Sequence, residues 1–456
     1  MAGIGFVLER VIDRNGLRGL AGAAAAGVLI VAGPWLISSI ALFVVSTAIA
    51  DGAPRFFALV VYTYASSLLL FGGYHYRFTR TLADALYNRD YQLVASTYRR
   101  ALVVAGLGSL PLGILIAMLG RWSDVRILVP VVLYLAINTG WIHTLFSSLL
   151  RDFRIILWSY VLGALPAALA VVLVGPAQID VDGAAMLFAG ALLLTGVLQW
   201  LGVRHSLARS TARGRRRELG RAGSAPGKAT LRRLMVIGWG LAAVLWLDKM
   251  LYWWLLGAPV EGSLLWLYPV YDQTVFIAQL FVIPPTVVFV IRVETAYFRG
   301  LRAVMQQLRR GTRIDLLRAR SALENRYYDA LRGQVLVQLL MLVLLTLAAP
   351  ELVRLAGTGS VHLLILSGAA AQLYLLFYTL IVNLLYLADY RAAVTVIVVT
   401  VLCTLLSTLA LHLAFGEASV GYSFLLSAAL GCAGAGYVQK RGLHDFDWLV
   451  LTRINA

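Results

Sequence analysis

Apolar runs of about twenty residues recur along the whole chain, separated by short polar stretches, and a helix of that length crosses a hydrocarbon core of about 30 Å. Twelve runs meet this length. The pattern predicts spans at Leu20 to Ala50, Phe56 to Tyr76, Ala101 to Leu119, Ile127 to Leu150, Ile155 to Val174 and Gly183 to Val203. A second six follow at Leu234 to Leu256, Leu265 to Ile291, Val335 to Leu352, Val361 to Ala388, Ala392 to Leu413 and Val420 to Val438. Run length favours helices over a barrel, whose strands would be about ten residues of alternating polarity. The expectation is an all-α integral membrane protein of twelve transmembrane helices.

The polar stretches give the direction of threading. Lys and Arg are retained on the cytoplasmic side of short loops. With the N-terminus inside, 34 of the 39 Lys and Arg fall in cytoplasmic segments and four outside, with Lys249 alone inside a span. Both termini are therefore expected in the cytoplasm. The longest break, Arg204 to Arg233, is rich in Arg, Gly, Ser and Ala and reads as a linker dividing six helices from six. That division suggests two topologically parallel halves. No residue-level repeat is evident, so the symmetry rests on helix counting. The predicted organisation is residues 1–203, a basic linker at 204–233, and residues 234–456. Within the last, 292–332 has the apolar spacing of one or two amphipathic cytoplasmic helices. Ile4, Val7, Leu8, Val11 and Ile12 mark a short interfacial helix before the first span.

Composition narrows the function classes. The chain is 60% hydrophobic and 13% charged, against about 25% charged in soluble proteins. Its net charge of +17 lies between apolar runs, which removes the nucleic-acid reading that such a charge would otherwise invite. Cys403 and Cys432 sit within apolar runs as packing or lipid-facing residues. No HExxH, GxxxxGK[ST] or GxSxG motif is present. No metal, cofactor or enzymatic activity is expected.

Charges in a span carry the most information, because each costs about 2.5 to 3.5 kcal/mol at a helix centre. Asp248 and Lys249 stand in LWLDKMLYWW, and Asp272 and Gln273 in YPVYDQTVF. Adjacent helical residues diverge by about 100°, so Asp248 and Lys249 are not expected to face one another. Lys249 and Asp272 lie equally far from the loop centred between Val260 and Glu261, which predicts an ion pair across the two helices. Such a pair either borders a polar pathway or pins two helices together. Asp248, left without a cation, then becomes a candidate protonatable carboxylate or substrate contact, or a neutral hydrogen-bonded carboxyl. Trp246 and Tyr271 stand beside these charges, and aromatic faces suit sugar rings and cations. Trp253, Trp254, Trp266 and Tyr268 read more simply as an interfacial belt. Pro34, Pro269, Pro284 and Pro285 mark helix breaks, the last three in one span.

Several stretches together resemble the PelG family, the membrane subunit of bacterial Pel exopolysaccharide export. They are MAGIGF at Met1 to Phe6, GPW at Gly33 to Trp35, FTRTLADALY at Phe78 to Tyr87, YPVYD at Tyr268 to Asp272 and IRVETAYF at Ile291 to Phe298. The chain departs from the family pattern at Val7, where relatives carry an acidic residue; the nearest here is Glu9. The resemblance implies a fold like the multidrug, oligosaccharidyl-lipid and polysaccharide exporters, with two six-helix lobes around a central cavity. It also implies a place in the bacterial inner membrane beside a cytoplasmic glycosyltransferase and other Pel-type subunits, passing an amino-sugar polymer to the periplasm. On this reading Asp248, Lys249, Asp272, Gln273, Trp246 and Tyr271 line the substrate route, with Arg292 and Glu294 near its cytoplasmic mouth. Two alternatives stand beside it: an ion-coupled exporter of small amphipathic molecules or lipid-linked sugars, and a non-transporting scaffold of a synthase.

Overall fold

A computed structural model of the protein describes residues 27–29, 32–150, 152–214, 227–357 and 359–444. The interfacial helix expected between Ile4 and Ile12, and residues 215–226 of the expected linker, lie outside the described residues. Among the described residues nine helices are long and apolar enough to cross a membrane, or ten if one bent pair counts as a single span. Gly33–Thr47 is apolar but shorter, and Tyr422–His444, diluted by serine and glycine, is not among the nine. The protein is a multi-pass helical membrane protein.

The helices pack as two compact units. The first comprises Ala32–Ala242 and Gly257–Leu267. It contains α1 (Gly33–Thr47), α2 (Ala53–Tyr87), α3 (Tyr91–Leu119), α4 (Leu128–Leu149), α5 (Phe153–Val174), α6 (Val181–Gly214) and the first part of α7 (Lys228–Leu255). Phe56, Leu59, Leu133, Tyr134 and Phe188 belong to one buried apolar cluster in it. Glycine lets some of these helices approach closely. A Cβ at Gly238 would stand 1.8 Å from the carbonyl oxygen of Gly72, and one at Gly163 would stand 2.0 Å from Thr195 Oγ1. Small residues at such crossings give membrane helices their van der Waals contact when lipid supplies no hydrophobic drive.

The second unit takes the rest of α7, Ala243–Leu256, and the chain from Tyr268 on. Its elements are α8 (Pro269–Leu280), α9 (Ile283–Val288), a π-helical turn (Phe289–Val293), α10 (Glu294–Arg310), α11 (Arg313–Ala356), α12 (Val361–Tyr386), α13 (Tyr390–Phe415) and α14 (Tyr422–His444). Side chains of Asp and Ser start several helices by accepting otherwise orphaned N–H groups. Ser360 caps α12 at 3.1 Å from Leu363 N, and Thr312 with Asp315 forms a reciprocal capping box for α11.

One expectation needs correction here. The apolar run from Leu265 to Ile291 is not one helix. Its start is a short antiparallel hairpin pairing Ala258–Pro259 with Trp266–Leu267, held to the first unit where Leu264 N donates to Leu119 O at 2.6 Å. Helix α8 begins at Pro269, whose missing N–H has no partner to lose in a first turn. The run breaks again after Leu280, and the two pieces bend by 44°. Pro284 and Pro285 cannot donate to the carbonyls four residues earlier, Leu280 and Phe281, so the helix stops. Pro34 lies in the first turn of α1, after a turn at Ala32 that follows helical residues 27–29.

Candidate functional site

The charged residues of α7 meet α8 and the start of α14 within the second unit. Asp248 is fully buried and Lys249 is 3% exposed. Lys249 Nζ lies 3.0 Å from Asp248 Oδ1 and donates to Leu245 O at 2.8 Å. The ammonium also stands 4.2 Å from the centre of the Phe424 ring on α14. Tyr271 OH donates to the other Asp248 oxygen, so both oxygens of that carboxylate are engaged. Tyr252 packs edge-on against Tyr271, with ring centroids 5.7 Å apart, and its hydroxyl donates to Ser419 O at 3.2 Å.

The expected Lys249 to Asp272 pair does not form. Asp272 accepts from Trp253 Nε1, 3.0 Å from each carboxylate oxygen. Counting equal numbers of helical residues from the loop assumed that helix started at Leu265. Residues 266–267 are a strand, so Asp272 sits in the first turn of α8 and meets Trp253, four residues further along α7 than Lys249. Nor is Asp248 left without a cation. The diverging directions of neighbouring residues constrain Cβ atoms, while the four-carbon stem of Lys249 lets its Nζ swing back to the carboxylate.

These contacts separate two kinds of group. Asp248, Lys249 and Tyr271 form a buried set: a charge pair whose ammonium also donates to Leu245 O and whose carboxylate also accepts from the tyrosine hydroxyl. Asp272 is different. It is only partly enclosed, its direct donor is a neutral indole N–H, and the first turn of α8 lends it the positive end of the helix dipole. Gln273 beside it is exposed. Trp246 packs 6.4 Å from Trp253, and its Nε1 is buried without a hydrogen-bond partner.

The remaining predicted positions lie apart. Arg292 is exposed on the π-helical turn, and the side chain of Glu294 lies outside the described residues. Between them and α8, the helix break at Phe281 is satisfied by protein: Gln372 Nε2 donates to Phe281 O at 2.9 Å, replacing the donor that Pro285 lacks. Gln338 Nε2 donates in turn to Gln372 O at 2.8 Å. Gln334 pairs with Thr379 at 2.9 Å, and Asn383 donates to Tyr327 OH at 3.0 Å. This buried polar seam was not foreseen, although Gln334 and Gln338 stand one helical turn apart within an apolar stretch. In the first unit, Tyr98 OH and His143 Nδ1 lie 2.6 Å apart and are also buried. Among the described residues, no three His, Cys, Asp or Glu side chains converge as metal ligands.

The family model described as "PelG: Putative exopolysaccharide Exporter (EPS-E)" matches residues 1–450. No curated protein matches the chain significantly. Among solved structures, the chain is similar to MATE in a straight conformation, with a TM-score of 0.61 at 12% identity, covering 96% of this chain and 97% of that one. An outward-facing multidrug resistance MATE family transporter of the MOP superfamily gives a TM-score of 0.59 at 13% identity, covering 92% and 96%. A mutant MATE transporter from Vibrio cholerae gives 0.60 at 12% identity, covering 97% and 98%. At this identity the likeness is one of fold alone, while the family that matches is one of exporters rather than of enzymes.

Proposed function

Because the chain belongs to the PelG exopolysaccharide-exporter family, we propose that it carries an amino-sugar polymer of Pel type across a bacterial inner membrane, from a cytoplasmic glycosyltransferase to the periplasm and the biofilm matrix. The twelve-span arrangement, in two six-helix lobes with both termini cytoplasmic, belongs to this proposal. Its support is the 34-to-4 asymmetry of Lys and Arg, together with the likeness to transporters over nearly the whole chain.

The observation that carries the substrate reading is Asp272. A carboxylate held by a neutral indole N–H, next to an exposed Gln273 and a half-buried Trp246, suits a sugar chain bearing amines. Asp248 and Lys249 border the route and hold its wall. Arg292 and Glu294 stand near the cytoplasmic mouth.

The test replaces Asp272 by Asn in the intact export complex. An Asn oxygen still accepts from Trp253, so the protein is expected to assemble normally while secreted polymer falls sharply. A photocrosslinker at Gln273 is expected to capture nascent polymer. Normal secretion by the Asp272→Asn variant, with crosslinks to polymer only from other positions, overturns this site. A second reading, an ion-coupled exporter of small amphipathic molecules or lipid-linked sugars, is supported by the fold shared with a multidrug resistance transporter. Export of such molecules by purified protein in vesicles, driven by an ion gradient without any glycosyltransferase, favours it.

A further inference from the structure

Helix α11 runs for 44 residues, about 66 Å at 1.5 Å per residue, more than twice what a bilayer core requires. One exposed face runs along its length and changes character three times. Leu336, Leu339, Val343 and Leu347 are exposed, as lipid-facing residues are. Towards the N-terminus the same face carries Arg332 and Tyr328, the residue types of a membrane boundary, and then polar Asn325 and Ser321. It becomes apolar again at its tip, where Leu317 is 49% and Ile314 62% exposed. The tip is thus separated from the lipid-facing stripe by two polar turns.

Neighbouring helices fix the level of the boundary. Tyr327 is bonded to Asn383, three residues before α12 ends at Tyr386, and Arg320 Nη2 donates to Leu443 O at 2.8 Å near the end of α14. From Tyr328 to Ile314 the helix rises about 21 Å. At a tilt of 40° that is still about 16 Å, beyond a headgroup layer of about 5 to 8 Å. Helix α10 packs on the other side of α11, where Gly300 meets Leu323 and Val304 is buried, and leaves Arg299 and Arg302 exposed. The turn between the helices reads Arg-Arg-Gly-Thr-Arg from 309 to 313, and Arg318 and Arg326 are exposed further along. The nearby acids are committed locally: Asp315 to the Thr312 cap, Glu324 to Arg320 at 3.2 Å and Asp329 to Arg332 at 3.7 Å.

We infer that the tip of the α10–α11 hairpin, centred on Ile314 and Leu317 and ringed by Arg302, Arg313 and Arg318, docks a soluble cytoplasmic protein presenting an apolar recess with an acidic rim. The distance from the boundary argues against a lipid surface. Like charge argues against a second copy, and the aliphatic centre lacks the aromatic platforms on which nucleic-acid bases stack. The inference rests on the cytoplasmic placement of Arg292 to Arg332 but not on the identity of the exported molecule.

A photocrosslinker at Leu317 of the full chain, in its native membranes, tests it. The expected adduct is one soluble protein, identified by mass spectrometry, then purified and measured against the full chain in nanodiscs. Ile314→Ser with Leu317→Ser is expected to weaken that binding at least about tenfold. Arg313→Glu with Arg318→Glu is expected to do the same, and to remove most of the weakening seen when salt rises from about 0.05 to about 0.5 M. Because all four side chains are exposed, both variants should elute and melt like the parent. The inference is overturned by adducts to lipid, nucleic acid or a second copy, by no adduct, or by unchanged affinity in both variants. It is equally overturned if Leu317→Cys in the purified protein resists a water-soluble maleimide, which would mean that the chain covers its own tip.

Discussion

Lys249 turns back along its own helix to Asp248, 3.0 Å away, while Asp272 on the neighbouring helix is held by Trp253 instead. An ion pair this deeply buried is costly to halve. Removing one partner leaves an uncompensated charge and costs about 3 to 5 kcal/mol, whereas replacing both by apolar groups of similar shape is close to neutral. Asp248→Asn and Lys249→Met are each expected to lower the melting temperature of the purified protein. The double variant should recover most of the loss. A double variant whose loss equals the sum of the two single losses would show that the two charges act independently.

Gln372 offers a second test, at the helix break. Its side-chain N–H bond to Phe281 O stands in for the donor that Pro285 cannot supply. Gln372→Leu leaves that carbonyl buried without a partner and should destabilise the protein by about 1 to 3 kcal/mol. Gln338 donates to the backbone oxygen of Gln372, so that bond should survive the change. If Pro285→Ala is introduced as well, residue 285 regains a donor for Phe281 O. The combined variant should then be more stable than Gln372→Leu alone, as read by thermal unfolding in detergent.

The two features tested so far also show what could be read from the chain. Spans such as Val361 to Ala388 were legible because hydropathy sums over twenty residues and tolerates an error of several; the corresponding helix is Val361–Tyr386. The partner of Lys249 was not legible, because it depends on whether residues 265 to 268 join the helix. A shift of one turn changes which side chains meet. YPVYD did point to an irregular start at Pro269, and Pro284-Pro285 to a break, since both follow from a missing N–H. Gln334, Gln338 and Gln372 were overlooked for a different reason. Neutral amides lower a hydropathy average only slightly, although inside a membrane they need partners as surely as charges do.

The crossing of α2 and α7 yields a prediction about folding. With the carbonyl of Gly72 only 1.8 Å from where a Cβ on Gly238 would sit, Gly238→Val forces the helix backbones apart. Gly106, where a Cβ would meet nothing within 4 Å, supplies the control. Gly106→Ala should express and elute as a single species like the parent, and Gly238→Val should give little or no monodisperse protein. Equal yields would mean that the two helices can separate without loss.

The threading direction rests on the arginine asymmetry, and single cysteines can test it from both sides of the membrane. Arg391 follows the turn from α12 to α13, and Glu351 and Arg354 lie in the last turns of α11, at the opposite end of α12. Glu351 and Arg354 are paired to each other and exposed, so substituting either should perturb little beyond that pair. In a background lacking Cys403 and Cys432, Glu351→Cys should react with a membrane-impermeant maleimide added to intact spheroplasts. Arg391→Cys should react only after the membrane is opened. Retention of 34 Lys and Arg on the unlabelled side follows from the cost of moving them across the bilayer during insertion. Labelling of Arg391→Cys in intact spheroplasts would invert the protein and place the α10–α11 hairpin in the periplasm. No cytoplasmic partner could then reach the hairpin, and the polymer would have to travel in the opposite sense through the same residues.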